Sequence, residues 1–375
     1  MQDKMHIHLW HQRLDTPALI IHMPTMQRNL FDMQQVADRS NLILRPHCKT
    51  HKSPQLAQRQ QTLGAQGITV SKLSEAEVMV DGGLSDIFIA NQITQHIKLR
   101  RLKELHKKAT ITIGIDHLSQ IQVLKNQFTS ASHPLQLRIE IDCGFGRCGV
   151  APGTAQLLAL AKEIQRAPGL LLDGLFTHAG QAYSAPDVEQ IREIARDEAN
   201  AVVEAGERIR EIGIEVATLS VGSTPTAKFI EEQTGITEFR PGNYIFYDAI
   251  QVGLGVVRYA QCALYVLATV ISKPSSDRIV CDAGSKALNL DRGAHSAETV
   301  EGHGYLVNIR GTIDRVSEEH GMIQMEAGQD IKIGDPLLIV PNHACAVVNL
   351  YDAYNCVEAD GTVQTMPISG RGKSQ

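Results

Sequence analysis

Short runs rich in β-branched residues alternate with longer stretches of helical period through the first two thirds of the chain, and this alternation limits the fold more than any other feature. Strands are read at 42–47, 67–70, 86–90, 110–115, 136–142, 172–178, 218–221 and 237–240. Between them lie helical patterns such as "SPQLAQRQQTLG", "SEAEVMVDGG", "TAQLLALAKEIQRAPG" and "DVEQIREIARDEANAVVEAGERIREIG", closed by the glycine that a helix C-cap favours. Eight such units predict an α/β fold, a (β/α)₈ TIM-type barrel with its functional groups at the C-terminal ends of the strands. After about residue 255 the helical period fades. "ALYVLATVISKP", "DRIVCDAG", "YLVNIRGTIDRV", "DPLLIVPN" and "CVEADGTVQTM" are strand-like and separated by turn residues. The expected organisation is a barrel over 16–255 and a C-terminal β-rich domain over 256–375. The early stretch "TPALIIHM", or residues 1–15 before it, is expected to pair with that second domain.

With 375 residues, 43% of them hydrophobic, the chain can bury a large core and fold unaided. A formal net charge of −5 with no long run of one sign gives no footprint for nucleic acid. Nowhere do about 18 apolar residues run together, and the N-terminal stretch lacks an apolar signal core. The expectation is a cytoplasmic enzyme acting on a small molecule, away from nucleic acid and membrane. Seven scattered cysteines, an odd count, read as reduced and mostly buried.

Polar residues and glycines recur after each strand: Lys49, Ser71, Asn91, Asp116, "DCGFGRCG" with Arg147, "THAG" with His178, "GSTPT" and "PGNY". A catalytic rim requires this, although loops are polar in any case. "VGSTPT" and "RPGNY", after the seventh and eighth strands, offer glycines that let backbone N–H groups approach an anion, with hydroxyls beside them. Barrel phosphate sites commonly lie at those two strands. A phosphate site opposite a strand-end lysine suggests pyridoxal 5'-phosphate (PLP), whose aldehyde a lysine holds and whose phosphate is anchored separately. Lys49 in "RPHCKTHK" is the candidate, with Arg45, His47, His51 and Lys52 as neighbours that would keep its amine unprotonated. Spacing alone does not separate this from a solvated basic turn.

The segments "RPHCKTHK", "VSKLSEAE", "EIDCGFGRCGV", "THAG", "SVGSTPT", "RPGNYIFYD" and "PNHACAVVNLYD" together resemble the fold-type III PLP enzymes of the alanine-racemase-like fold. The branch they resemble is that of D-serine dehydratase and D-threonine aldolase. The resemblance implies a PLP barrel with a β domain, a homodimer, and Lys49 as the Schiff-base lysine. It further implies that Arg147 faces the pyridine nitrogen, that His178 and Tyr183 lie near the ring, and that Ser223, Thr224, Gly242, Asn243 and Tyr244 belong to the cofactor-binding positions. An arginine at the ring nitrogen disfavours its protonation and makes the ring a poorer electron sink, so elimination or cleavage would gain from a second electrophile.

His343 and Cys345 supply a candidate. Two apart in an extended segment, they would project to one face and grip a metal ion, although a bare H-x-C also suits a core histidine and an inert thiol. Within the family pattern they read as metal ligands and, with Lys49, as the catalytic set. Imidazole plus thiolate suits Zn²⁺, whereas the aldolase-like relatives place an Asp at the position of Cys345 and favour harder divalent ions. The implied reaction is dehydration of a β-hydroxy-D-amino acid such as D-serine, D-threonine or D-threo-3-hydroxyaspartate to a 2-oxo acid and ammonia. The alternatives are a metal-dependent aldolase giving glycine and an aldehyde, and a PLP-binding homeostasis protein without turnover. Racemisation would need a second acid/base opposite Lys49, and the sequence identifies none.

Overall fold

The computed structural model describes residue 7, residues 10–295 and residues 297–375. After β1 (Ala18–His22) and the helix Met23–Ser40, eight strands form one parallel sheet: β2 (Ile43–Leu44), β3 (Ile68–Val70), β4 (Asp86–Ile89), β5 (Thr110–Ile115), β6 (Leu135–Glu140), β7 (Leu170–Phe176), β8 (Thr218–Val221) and β9 (Glu238–Phe239). They lie in the order β2-β9-β8-β7-β6-β5-β4-β3. The two ends of that order meet. Gln66 N–H donates to Leu44 O at 2.9 Å, Thr69 N–H to Pro46 O at 2.8 Å and Cys48 N–H to Thr69 O at 2.7 Å, so the ring closes beside Lys49. All eight expected strands are present; the first and last are shorter than read.

Helices cover the outside of the ring because each turns one apolar stripe inward. In the longest, Val188–Glu211, Ile191, Ala195, Ala199, Val202, Ala205 and Ile209 are buried at spacings of three and four, and Asp187 caps the first turn by accepting from Gln190 N. Buried apolar side chains of the strands fill the core, joined by one ionic layer. Glu238 of β9 accepts from Arg45 at 2.7 Å, from Arg138 and from Ser220 Oγ. Burial alone would raise the Glu238 carboxyl, but Arg138 and Arg45 outweigh it and hold it at about 2.

The second sheet is mainly antiparallel. It consists of β10 (Leu264–Ser272), β11 (Arg278–Cys281), β12 (Tyr305–Leu306), β13 (Gly311–Val316), β14 (Gly321–Met325), β15 (Pro336–Val340), β16 (Ala353–Val357) and β17 (Val363–Pro367), with β1 at its centre. β1 runs antiparallel to β10, Ile20 facing Tyr265, and parallel to β16, Ile20 facing Asn355. "TPALIIHM" therefore joins this sheet; of residues 1–15, residues 1–6, 8 and 9 lie outside the described residues. β14 has no counterpart in the sequence reading. No helix among the described residues is long and apolar enough to cross a membrane.

Candidate active site

A cavity of about 390 Å³ opens at the C-terminal ends of the barrel strands. Lys49, Arg147, His178, Tyr183, Ser223, Thr224, Gly242, Asn243 and Cys345 all line it. Tyr244 does not line it. Its ring is buried in the core and its hydroxyl accepts from Gln60 Nε2 at 2.9 Å, so the side chain does not reach the cavity.

Two loops form a cradle at one side. Gly222 leaves β8 with φ +141°, and a Cβ there would lie 2.6 Å from Arg240 N. At Gly242 a Cβ would lie 2.9 Å from His47 O. Only glycine lets these backbones approach so closely. Thr224 Oγ1 and Asn243 Oδ1 are buried and have no hydrogen-bond partner among the described residues. Beneath the cradle, Glu198 accepts from Thr177 Oγ1 at 2.8 Å, Ala179 N at 3.1 Å, Gly222 N at 3.0 Å and Thr226 Oγ1 at 3.2 Å. One buried carboxylate thus ties the "THAG" loop to the "GSTPT" loop. The sequence reading missed it, because an acid on an amphipathic helix looks like a surface residue.

Lys49 lines the same cavity. Burial lowers the pKa of its amine, partly opposed by Cys345 and reinforced by Arg147 and Arg240. The flanking cations of "RPHCKTHK" act differently from expectation: Arg45 pairs with Glu238 and Asp86, and Lys52 is bound to Glu75 at 2.6 Å. The tuning charges come instead from Arg147 and Arg240, which follow the ends of β6 and β9. His47 Nδ1 accepts from Lys49 N at 3.3 Å. His178 Nδ1 lies 3.3 Å from Gly222 O, and since a carbonyl only accepts, that nitrogen carries the proton and the buried Nε2 keeps a free lone pair. Burial, then the charges of Lys49 and Arg147, hold the His178 pKa well below 6.5. Arg147, partly exposed, pairs with Glu140 at 3.3 Å.

The second sheet contributes the remaining groups. His343 precedes the helix Ala344–Val348, so the expected extended segment is a helical turn. The turn still keeps the two side chains close enough for each to shift the titration of the other. His343 Nδ1 is bonded to Asp291 Oδ2 at 2.8 Å, and Cys345 Sγ lies 3.1 Å from Thr50 Oγ1. Burial works against charge on His343, yet Asp291 and Cys345 raise the imidazole to about 10. Burial likewise opposes the Cys345 thiolate, but His343 and Lys49 bring the thiol below its ordinary value. A histidine whose other nitrogen is fixed by a carboxylate, beside an acidic thiol, is a donor set for a soft divalent metal. Among the described residues Asp116, Glu140 and Cys148 also cluster, with ligand atoms within 4.8 Å. There Gln92 and Arg147 already occupy Glu140, and Gly149 N–H occupies Asp116.

Comparison with known proteins agrees with this geometry. Residues 21–249 match the family described as alanine racemase, N-terminal domain, and residues 263–357 match the putative serine dehydratase domain. The chain belongs to the alanine racemase N-terminal domain family. D-threo-3-hydroxyaspartate dehydratase of Delftia sp. (strain HT23) is 35% identical over 367 residues, covering 94% of this chain and 96% of that protein. D-threonine aldolase of Arthrobacter sp is 34% identical over 369 residues, covering 97% and 94%. A solved structure of a cysteine-to-alanine mutant of D-threo-3-hydroxyaspartate dehydratase in the metal-free form superposes with a TM-score of 0.89 at 34% identity, covering 94% of this chain and 97% of that one. In this family member the site is therefore shared between a barrel and a mainly antiparallel sheet.

Proposed function

We propose that this protein is a PLP- and Zn²⁺-dependent dehydratase of β-hydroxy-D-amino acids, releasing a 2-oxo acid and ammonia. The observation that carries the reading is the His343–Cys345 pair, with its thiol in the same cavity as Lys49. The residues fit the cofactor: Lys49 would hold it covalently, and Ser223, Thr224, Gly242 and the backbone of Asn243 would take its phosphate. Thr224 Oγ1, buried without a partner, is the donor such an anion needs. Arg147, His178 and Tyr183 would border its ring. Bound PLP supplies an electron sink for charge at the substrate Cα. A Zn²⁺ held by His343 and Cys345 would supply a Lewis acid for the β-hydroxyl.

The chain's own groups do the rest. Once the substrate amine has displaced it from the cofactor, Lys49, its amine favoured neutral by burial, would take the Cα proton at Nζ. Asp291 fixes the ring orientation of His343, and Thr50 fixes the sulfur of Cys345. Departure of the β-hydroxyl leaves an enamine that water converts to oxo acid and ammonia. The dehydratase relative supports this outcome, as does the existence of a metal-free form of its cysteine mutant. The aldolase reading is favoured by the 34% identity to D-threonine aldolase, whereas the sulfur of Cys345, a softer ligand than a carboxylate, supports the dehydratase. A whole second sheet carrying the donor pair weighs against a PLP-binding protein without turnover. We read the enzyme as a cytoplasmic homodimer, which light scattering after gel filtration tests.

The deciding experiment supplies D-serine, D-threonine and D-threo-3-hydroxyaspartate to the enzyme loaded with PLP and Zn²⁺. Oxo acid with equal ammonia is expected. Glycine with an aldehyde would replace the dehydratase by the aldolase.

A further inference from the structure

Asp248 closes the "RPGNYIFYD" motif, is fully buried, and plays no part in the chemistry described so far. Its Oδ2 accepts from Asn243 Nδ2 at 2.6 Å and from Ala344 N at 2.8 Å, and its Oδ1 accepts from Gln251 N at 3.1 Å. Asn243 lines the cradle, and Ala344 lies between His343 and Cys345. A single oxygen is therefore shared by the loop after β9 and by the turn after β15. Two further backbone bonds run beside it, Ala249 N–H to Pro341 O at 3.1 Å and Ile250 N–H to Asn342 O at 3.1 Å. These keep the two segments side by side but fix neither Asn243 nor the amide between the two donor residues.

We infer that Asp248 is a positioning residue that sets the cofactor cradle and the His343–Cys345 turn in one register. The inference rests on the proposed function, since it assumes that the cradle takes PLP and the turn takes metal. The physical argument is one of acceptor count. Both donors point at an atom that only a carboxylate presents without placing an N–H beside it. An amide in its place keeps the volume but offers one acceptor edge, and its NH₂ faces a donor on the other. Whichever way that amide is turned, its NH₂ faces a donor: Gln251 N–H in one orientation, Asn243 Nδ2 and Ala344 N in the other. Relieving either conflict moves the side chain off the shared position, and the cradle and the turn lose their fixed relation even though the fold is kept.

The test measures two affinities separately, neither of them activity. PLP is titrated into metal-free protein and followed by the visible absorbance of the lysine-bound cofactor; Zn²⁺ is titrated into PLP-free protein against a chromophoric chelator. The chains are wild type, Asp248→Ala, Asp248→Asn and Asn243→Ala, each at a temperature where near-UV circular dichroism shows it folded. Loss of a partner that orients metal ligands typically costs about 10- to 100-fold in metal affinity. Asp248→Ala and Asp248→Asn are expected to weaken Zn²⁺ about tenfold or more and to weaken PLP as well, while Asn243→Ala weakens PLP alone. Should Asp248→Ala fail to fold, the isosteric Asp248→Asn decides. Wild type that binds both groups, with Asp248 variants changed in only one affinity or in neither, overturns this inference and leaves the proposed function standing. Wild type that binds neither PLP at Lys49 nor Zn²⁺ overturns both.

Discussion

Lys49 and Cys345 face one cavity from unlike scaffolds. Lys49 sits where the parallel ring closes, and the loop around it is fixed chiefly by backbone bonds: Cys48 N–H to Thr69 O at 2.7 Å, His47 N–H to Pro241 O at 3.0 Å and Lys52 N–H to Cys48 O at 2.8 Å. Cys345 sits on a five-residue helix between β15 and β16, and side chains that reach across the chain hold its surroundings: Thr50, Asp291 and Asp248. A backbone lattice survives most substitutions, because every residue type supplies the same N–H and C=O. A turn held by three side chains does not. The metal half of the site should therefore be far more sensitive to single changes in its surroundings than the lysine half.

Four substitutions break or sharpen that contrast. The largest effect is expected for Lys49→Ala, a loss of about 10³-fold or more in turnover together with the visible band of lysine-bound PLP. A variant that kept the band would remove Lys49 from its assigned place. Cys345→Ala should lower turnover by on the order of 10²-fold and release the metal while the visible band persists; full activity after exhaustive chelation would detach the metal from the reaction. Asp291→Ala touches neither reacting group, yet should weaken metal binding by about tenfold with PLP affinity unchanged. Equal losses of both would mean that the two halves are not held independently at that point.

The smallest effect is a shift along the pH axis. The Lys49 amine reacts when neutral, and its pKa lies below the ordinary 10.5, so capture of an aldehyde should reach its plateau at lower pH than for a free lysine. Arg147 is one of the charges that lower it. Arg147→Gln should move the pH profile of PLP capture upward with the plateau rate little altered. A profile that stayed in place would assign the depression to burial and the remaining charges.

The same division explains what could be read from the amino-acid order. The barrel strands were legible because β-branched runs and helical stripes repeat with fixed periods, and the positions of Lys49, Arg147, His178 and the cradle follow from strand ends. The helical turn at Ala344–Val348 spans little more than one helical period, too short for periodicity to register, so His343 and Cys345 were read on an extended segment where the backbone is helical. Glu198, Asp248 and Asp291 left no signal of their own. Each is an acid whose role comes from donors far away in the chain, and residue type alone does not separate a buried acceptor from a solvated charge. Arg45 misled for the mirror reason: only four residues before Lys49, it turns into the ionic layer around Glu238.

The position of β1 has a bearing on how the molecule comes into being. Leu19 O accepts from Asn355 Nδ2 at 3.4 Å across 336 residues, and both of the sheet neighbours of β1 lie beyond the whole barrel. A growing chain emerges at about 5–20 residues per second, so β1 is made before every barrel strand and meets its partners only after all of them. The parallel ring has all its strands long before that moment; the antiparallel sheet cannot close until its final hairpin arrives. The lysine loop therefore has its barrel strands before the turn that carries Cys345 is made.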